Sequence, residues 1–248
     1  MSLDSLRHAG GTLGIIAALP RELDMLARDL GAVPVMESKG LLLQAASMKN
    51  GCCPMVLATA GMGAERVALA VAAALAHGPV ATLLSVGFAG ACDPSLSPGN
   101  VIEASLVIDS RSGERFPADA SFEVADPGIL VSSTHIAGIG EKGRLRETYH
   151  AAAVDMEAAT VARLARAHGI RFGALKAISD EHDLDLTALS AFTDAQGHFR
   201  TGAFALHTLL RPHQWRATAN LGRNSKSALA ALTSALHRVL TNRSPAKP

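Results

Sequence analysis

Apolar residues run almost unbroken through six short stretches of the chain: "LGIIAAL" (13–19), "LLLQAASM" (41–48), "MVLAT" (55–59), "ATLLSVG" (81–87), "NVIEASLVI" (100–108) and "IRFGALKAI" (170–178). Continuous apolar character, rather than alternation, predicts strands covered on both faces. Between them the period changes. "PRELDMLARDL" (20–30) carries Pro20 at a first helical position and Leu23, Leu26 and Leu30 at three-to-four spacing. "GAERVALAVAAALAHG" (63–78) and "MEAATVARLARAHG" (156–169) each end in a glycine that stops a helix. In the second, Ala158, Val161, Ala162 and Ala165 form the apolar stripe. "NSKSALAALTSALHRVL" (224–240) predicts a final amphipathic helix, and "NRSPAKP" after it is expected to fray. Strands alternating with helices imply an α/β fold with a largely parallel sheet and helices on both faces. Neither an internal repeat nor a linker interrupts the pattern. The expectation is one domain over residues 1–248, with 1–11 flexible and 195–248 a C-terminal segment.

Composition narrows the classes. With 48% apolar and 18% charged residues in 248, a sizeable core is available and disorder is not expected. No stretch approaches the roughly 20 continuous apolar residues that span a bilayer, and "MSLDSLRHAGG" lacks the charged-then-apolar pattern of a secretory leader. Three cysteines, Cys52, Cys53 and Cys92, without CxxC spacing argue against a disulfide scaffold or a zinc site. A reduced, cytoplasmic setting is the reading, with no metal. The net charge of +1 conceals an asymmetry. Residues 195–248 hold eight Lys/Arg and no acid, leaving 15 basic and 22 acidic residues elsewhere.

Candidate chemistry begins at "AAAVDMEAAT" (151–160), where Asp155 and Glu157 sit among alanine, valine and methionine. Ionised carboxylates resist burial unless paired or hydrogen-bonded. Glu22 lies just past strand 13–19, and Asp180 follows strand 170–178 in "AISDEHD". Ligands of open α/β sheets bind outside the carboxyl ends of the strands, so Glu22, Glu157 and Asp180 can converge there. The plainer alternative is an acid in a first helical turn, favoured by the helix dipole. Two glycine segments fall at the same edge, "TAGMGAERV" (59–67) and "SVGFAGACDPSLSPGN" (85–100). Glycine lets backbone amides approach a ligand closely. Neither has dinucleotide or Walker spacing, and tight strand-to-helix turns explain each singly. His182 reads as a solvated loop histidine, with assistance to Asp180 as the alternative. Lys142, Arg144 and Arg146 read as a solvated helix face, the alternative being an anion site. Trp215 is either a buried aromatic or an interfacial anchor.

Taken in order, "GIIAALPRELDML", "ATAGMGAERVALA", "SVGFAGACDPSLSPGNVIEAS", "AAVDMEAATVARLARAHGI" and "LKAISDEHD" resemble the nucleoside phosphorylase and nucleosidase superfamily. The likeness is greatest to its methylthioadenosine/S-adenosylhomocysteine nucleosidase branch and covers roughly residues 13–183. It implies a phosphorylase-like, three-layer α/β/α sandwich around a central mixed, largely parallel sheet. It also implies cleavage of a purine–ribose bond. That chemistry needs a proton on the leaving base and a nucleophile on the opposite face of an oxocarbenium-like sugar. By the same resemblance Asp180 is the acid at the base, with Ser179 beside it. Glu157 takes the ribose hydroxyls, with Met156 on the sugar, and Glu22 activates or holds the attacking water. Asp155 stands where the nucleosidase pattern usually has glutamate and is expected to be structural. Phe88, Ala89 and Gly90 form the glycine turn at the substrate. Phe88 replaces a small residue whose hydroxyl meets phosphate in many phosphorylases, which favours water as nucleophile and leaves phosphate as an alternative co-substrate. Ile136 in "SSTHIAG" falls at the base-stacking position.

The segment "LLRPHQWRATANLGRNSKSALAAL" further resembles the hopanoid-associated phosphorylase subfamily, linked to release of adenine from adenosylhopane. A membrane-resident triterpenoid substrate suits a basic, acid-free tail carrying tryptophan as a bilayer-facing surface. The other expectations are a soluble nucleosidase or phosphorylase for methylthioadenosine or a purine nucleoside, and a non-catalytic nucleoside-binding or membrane-docking module. The expected partners are a small nucleoside and a second copy in a homodimer. Nucleic acid is not expected, because the tail's only aromatic residues are Trp215, Phe199 and Phe204, too few for stacking.

Overall fold

The computed structural model describes residues 11–48, 54–119, 122–187 and 215–243, the side chains of 215–221 and 242–243 excepted. The expectations for the flexible start, for Cys52 and Cys53, for the Trp215 side chain and for the frayed end fall outside these residues, Gly11 and the backbone of Trp215 and of 242–243 apart.

Three parallel strands form the centre. β1 (Thr12–Ala17), β4 (Pro54–Thr59) and β5 (Val80–Ala91) lie in the order β4-β1-β5. On the β4 side follow β3 (Leu41–Ser47) and β2 (Val33–Ser38), both antiparallel. On the other side β10 (Arg171–Asp180) runs parallel along β5 from Thr82 to Gly90. Beyond it come β6 (Val101–Asp109), with the short β7 (Arg115–Pro117) at its edge, then β8 (Asp126–Ser132) and β9 (Ala153–Asp155). β9 pairs back onto Gly90 and Ala91 at the end of β5, so β5, β10, β6, β8 and β9 close a ring within the ten-stranded sheet. Antiparallel pairings are as numerous as parallel ones among the described residues, more than the strand–helix alternation implied.

β1, β4, β5 and β10 are buried along most of their length, as their composition predicted, whereas β3 buries only Leu43 fully. On one face Ile16, Val56, Ala58 and Leu83 pack with α2 (Ala64–His77) and α4 (Ala158–Ala167). On the other, Leu13, Ile15, Leu57, Leu84 and Val86 pack with α1 (Asp24–Leu30) and α5 (Trp215–Arg243). α3 (Ile139–Tyr149) closes a third, smaller cluster through Leu145 against Ile108 and Val131. The result is a three-layer α/β/α sandwich around a mixed sheet.

Three local departures have physical causes. The helix expected over 20–30 is a 3₁₀ turn (Pro20–Glu22) followed by α1. The Glu22 carboxylate turns back to accept the Leu19 N–H at 2.8 Å and so closes that turn separately. β2 is an edge strand exposed along its whole length, where Pro34 interrupts Val33, Val35 and Met36 so that no buried-strand run marks it. A two-residue hairpin at Lys39 and Gly40, both with positive φ, joins it to β3. α5 starts nine residues before the predicted helix, through a polar stretch that gives no apolar stripe. Among the described residues, no helix is long and apolar enough to cross a membrane.

Candidate active site

The carboxyl ends of β1, β5 and β10 open onto a mostly apolar cavity of about 540 Å³. Its wall contains every residue singled out from the sequence as a site residue: Glu22, Phe88, Ala89, Gly90, Ile136, Met156, Glu157, Ser179 and Asp180. Leu19, Met62, His135, Lys142 and Leu186 complete much of it, and Ser225, Lys226 and Leu229 of α5 also border it.

Each carboxylate is buried and held by named donors. Glu22 accepts the Leu19 N–H through Oε2 and the Phe88 N–H through Oε1 at 3.3 Å. Glu157 stands at the head of α4, where its Oε1 accepts the Gly63 N–H at 2.9 Å, just before α2, and its Oε2 accepts the Met156 N–H at 3.2 Å. Asp180, the last residue of β10, takes the Ser179 hydroxyl on Oδ1 and the Lys142 ammonium on Oδ2, both at 2.6 Å. Burial pushes Glu22 above the ordinary carboxylate range, against the Leu19 amide and the charge of Lys176. Burial likewise raises Glu157, to about 7, with Asp155 and Glu22 adding to the rise and Lys176 and the Gly63 amide opposing it.

The glycine segment "SVGFAG" does something more specific than turn. A side chain at Gly87, whose φ is +132°, would sit 3.0 Å from the Glu22 carboxylate. One at Gly90 would lie 2.8 Å from Asp180 Oδ2. Both glycines therefore leave the room that two buried acids fill. Between them, the half-buried Phe88 ring lies under the Arg21 guanidinium, 5.6 Å from its centroid.

Asp155, expected to be structural, also borders the cavity, and its described contacts are all within the protein. Its Oδ2 accepts the Ala158 N–H at 2.9 Å and its Oδ1 the Ser132 hydroxyl at 2.6 Å, while the Ser132 oxygen accepts the Ala159 N–H. Asp155 and Ser132 thus cap α4 and fix Glu157 at its head. The Lys176 ammonium meets Asp155 at 2.9 Å. Burial alone would lower the proton affinity of Lys176, but Asp155, Glu157 and Glu22 together raise it above the ordinary value.

Two lysines escaped the sequence reading. Lys142, taken for part of a solvated helix face, is 1% exposed and paired with Asp180. It differs from Arg144 and Arg146, which are exposed and face Glu141 and Asp93. Lys176 interrupts an apolar strand and is also 1% exposed. A charge inside such a run is a usable signal, since lysine is almost never fully buried unless paired. His182 is half-exposed and nearest to Asp183, as a solvated loop histidine would be.

A three-layer α/β/α sandwich with a small-molecule cavity at the carboxyl ends of its parallel strands, lined by carboxylates from distant segments, defines the class. The family model described as phosphorylase superfamily matches residues 12–130 and 128–211, and the chain belongs to that family. Solved structures share the fold. The S-adenosylhomocysteine nucleosidase of Streptococcus pyogenes superposes with a TM-score of 0.72 at 20% identity, over 96% of this chain and 99% of that one. The Neisseria meningitidis 5′-methylthioadenosine/S-adenosylhomocysteine nucleosidase, in complex with methylthio-immucillin-A, gives 0.71 at 18%, over 93% and 98%. Futalosine hydrolase of Helicobacter pylori gives 0.71 at 17%, over 94% and 99%.

Proposed function

We propose that this protein hydrolyses the N-glycosidic bond of a purine nucleoside. The observation that carries this reading is the placing of Glu22, Glu157 and Asp180, from three distant segments, on the wall of one apolar cavity. Asp180, with its Ser179 partner, protonates the departing base. Glu157 accepts the ribose hydroxyls while Met156 packs on the sugar, and Ile136 lies against the base. Glu22 accepts one backbone amide on each oxygen and, with further lone pairs on both, holds or activates the attacking water. Phe88 offers only its backbone N–H, already given to Glu22, where a phosphate would need a hydroxyl. Water is therefore the nucleophile, phosphate remains the alternative co-substrate, and no cofactor takes part. A module that only binds nucleosides would have no use for three buried acids at such electrostatic cost.

The substrate we favour is adenosylhopane, giving adenine and ribosylhopane. An apolar cavity bordered by α5 suits an apolar group on the 5′ carbon, and the exposed Lys226 and Arg238 of α5 suit peripheral contact with an anionic membrane. We place the protein on the cytoplasmic side, as a homodimer without nucleic-acid partners. The second reading, a nucleosidase for methylthioadenosine or S-adenosylhomocysteine, is favoured by the named activities of the structural neighbours. The decisive experiment is incubation with adenosylhopane, methylthioadenosine and inosine, with and without phosphate, followed by detection of free base and of the sugar. Free adenine and an unphosphorylated sugar, formed fastest from adenosylhopane, are expected. Strict phosphate dependence would overturn hydrolysis, and no base from any of the three would overturn the enzyme.

A further inference from the structure

We propose that Lys142 is a positioning residue for Asp180, fixing its carboxylate against the leaving base and matching the charge that remains once the proton has gone. This rests on the reading of Asp180 as the acid at the base.

The geometry carries the argument. Lys142 lies in the first turn of α3, and its ammonium reaches Asp180 Oδ2 at 2.6 Å, the Glu181 carbonyl at 2.7 Å and the Leu184 carbonyl at 3.1 Å. An ammonium has three protons to donate, and here three protein acceptors take them. Although Lys142 borders the cavity, it has no donor left for a substrate and must act through Asp180. The pair is pressed against the bare backbone of Gly90, where an added Cβ would stand 3.1 Å from the lysine Cε as well as 2.8 Å from the carboxylate. Asp180 is therefore fixed by α3 on Oδ2, by Ser179 on Oδ1 and by β5 from behind. Fold stability alone does not call for this arrangement, because an apolar pair of similar volume is often as stable as a buried ion pair.

The proton count is simple. One proton passes from Asp180 to a ring nitrogen of the departing base, and the electrons of the C–N bond go to that base. Asp180 remains as a carboxylate facing an ammonium that keeps its own three protons, so charge developing in the transition state meets a preset opposite charge. Other charged groups surround the pair. Glu141 and Arg146 share α3 with Lys142, Asp185 lies on the segment after β10, and His182 is half-exposed to solvent. Cys92, just past β5, is pushed up to about 12 by burial and stays neutral.

The test compares Lys142→Met and Lys142→Arg with wild type on two substrates: an ordinary adenine nucleoside that wild type cleaves, and a nucleoside methylated at purine N7. The methylated base is already cationic and leaves without an enzymic proton. Lys142→Met should lower kcat on the ordinary nucleoside at least tenfold while changing KM less than threefold. The rate on the methylated nucleoside should fall far less. Lys142→Arg keeps the charge at a shifted position, so part of the ordinary rate should return. It carries the test alone if the methionine variant does not fold. Equal losses on both nucleosides would mark a merely structural lysine and overturn the proposal, as would wild-type rates. If wild type cleaves neither nucleoside, the nucleosidase reading fails, a result distinct from any outcome in the variants.

Discussion

Glu157 carries an electrostatic cost that has a direction in pH. Its proton affinity in the folded protein corresponds to about 7, against an ordinary value of 4.5. A group raised on folding adds stability that is complete below its unfolded value and is lost as pH climbs through the folded one. Glu157→Gln should therefore melt above wild type at pH 8, with the gap closing toward pH 5. Thermal unfolding across that range checks this, and a constant difference would contradict it. Glu22 is raised by burial too and faces the same lysine, so the two glutamates titrate as a coupled pair rather than singly. Asp180→Asn should lose roughly 10²–10⁴-fold in turnover, the usual cost of a missing general acid. The amide keeps an oxygen for Lys142 but not the charge, so its melting temperature should also fall and rates must be read well below it. More than half the wild-type rate would remove Asp180 from the chemistry.

Among the elements, the head of α4 does the most for the site. Asp155 caps the helix, receives Ser132 and neutralises Lys176, while Glu157 one turn-step away faces the cavity. Asp155→Ala would strip a partner from a buried ammonium and one from a helix amide. An unfolding penalty of about 3–5 kcal/mol is expected in denaturant titration. A loss under about 1 kcal/mol would mean that Glu157 and Glu22 suffice as counter-charges. The same elements show what the sequence could and could not tell. The buried strands β1, β4, β5, β6 and β10 and the helices α2 and α4 were legible because burial on both faces, or along one stripe, leaves an apolar pattern. The edge strand β2 and the short β7 and β9 were not, since exposure or brevity leaves none. Glu22 and Asp180 were legible as acids placed just beyond apolar strands, and Glu157 as an acid at the start of an apolar-striped helix. Their cations were not: Lys142 sits between glycine and glutamate in a polar helix, and only its distance to Asp180, 38 residues later, reveals it.

At the scale of the whole molecule, charge is divided between the body and its basic C-terminal segment. α5 packs on the sheet through Ala228, Leu232, Ala235, Leu236 and Val239, and its His237 lies 3.2 Å from Asp29. On the proposed membrane contact, the exposed Lys226 and Arg238 would each contribute roughly 1 kcal/mol on reaching an anionic surface. The protein should sediment with vesicles containing anionic lipid at low salt and be released by a few hundred millimolar salt, where surface charges are screened. No sedimentation by the intact protein at low salt would remove the membrane contact and weaken the triterpenoid substrate with it.

The closed ring of strands bears on how the molecule comes into being. β10 is the strand that joins β5 to β6, and it also delivers Asp180. A growing chain that has not yet made residues 171–180 leaves β5 with an open edge along most of its length and β6 with another. Such edges invite pairing with other chains. Pairing across some ninety residues of sequence is also slow, because the loop entropy must be met before the contacts form. Refolding should accordingly be slow and sensitive to protein concentration. Nucleoside cleavage should return together with the last phase of structure, since no partial assembly of this sheet holds Asp180 beside Glu22 and Glu157.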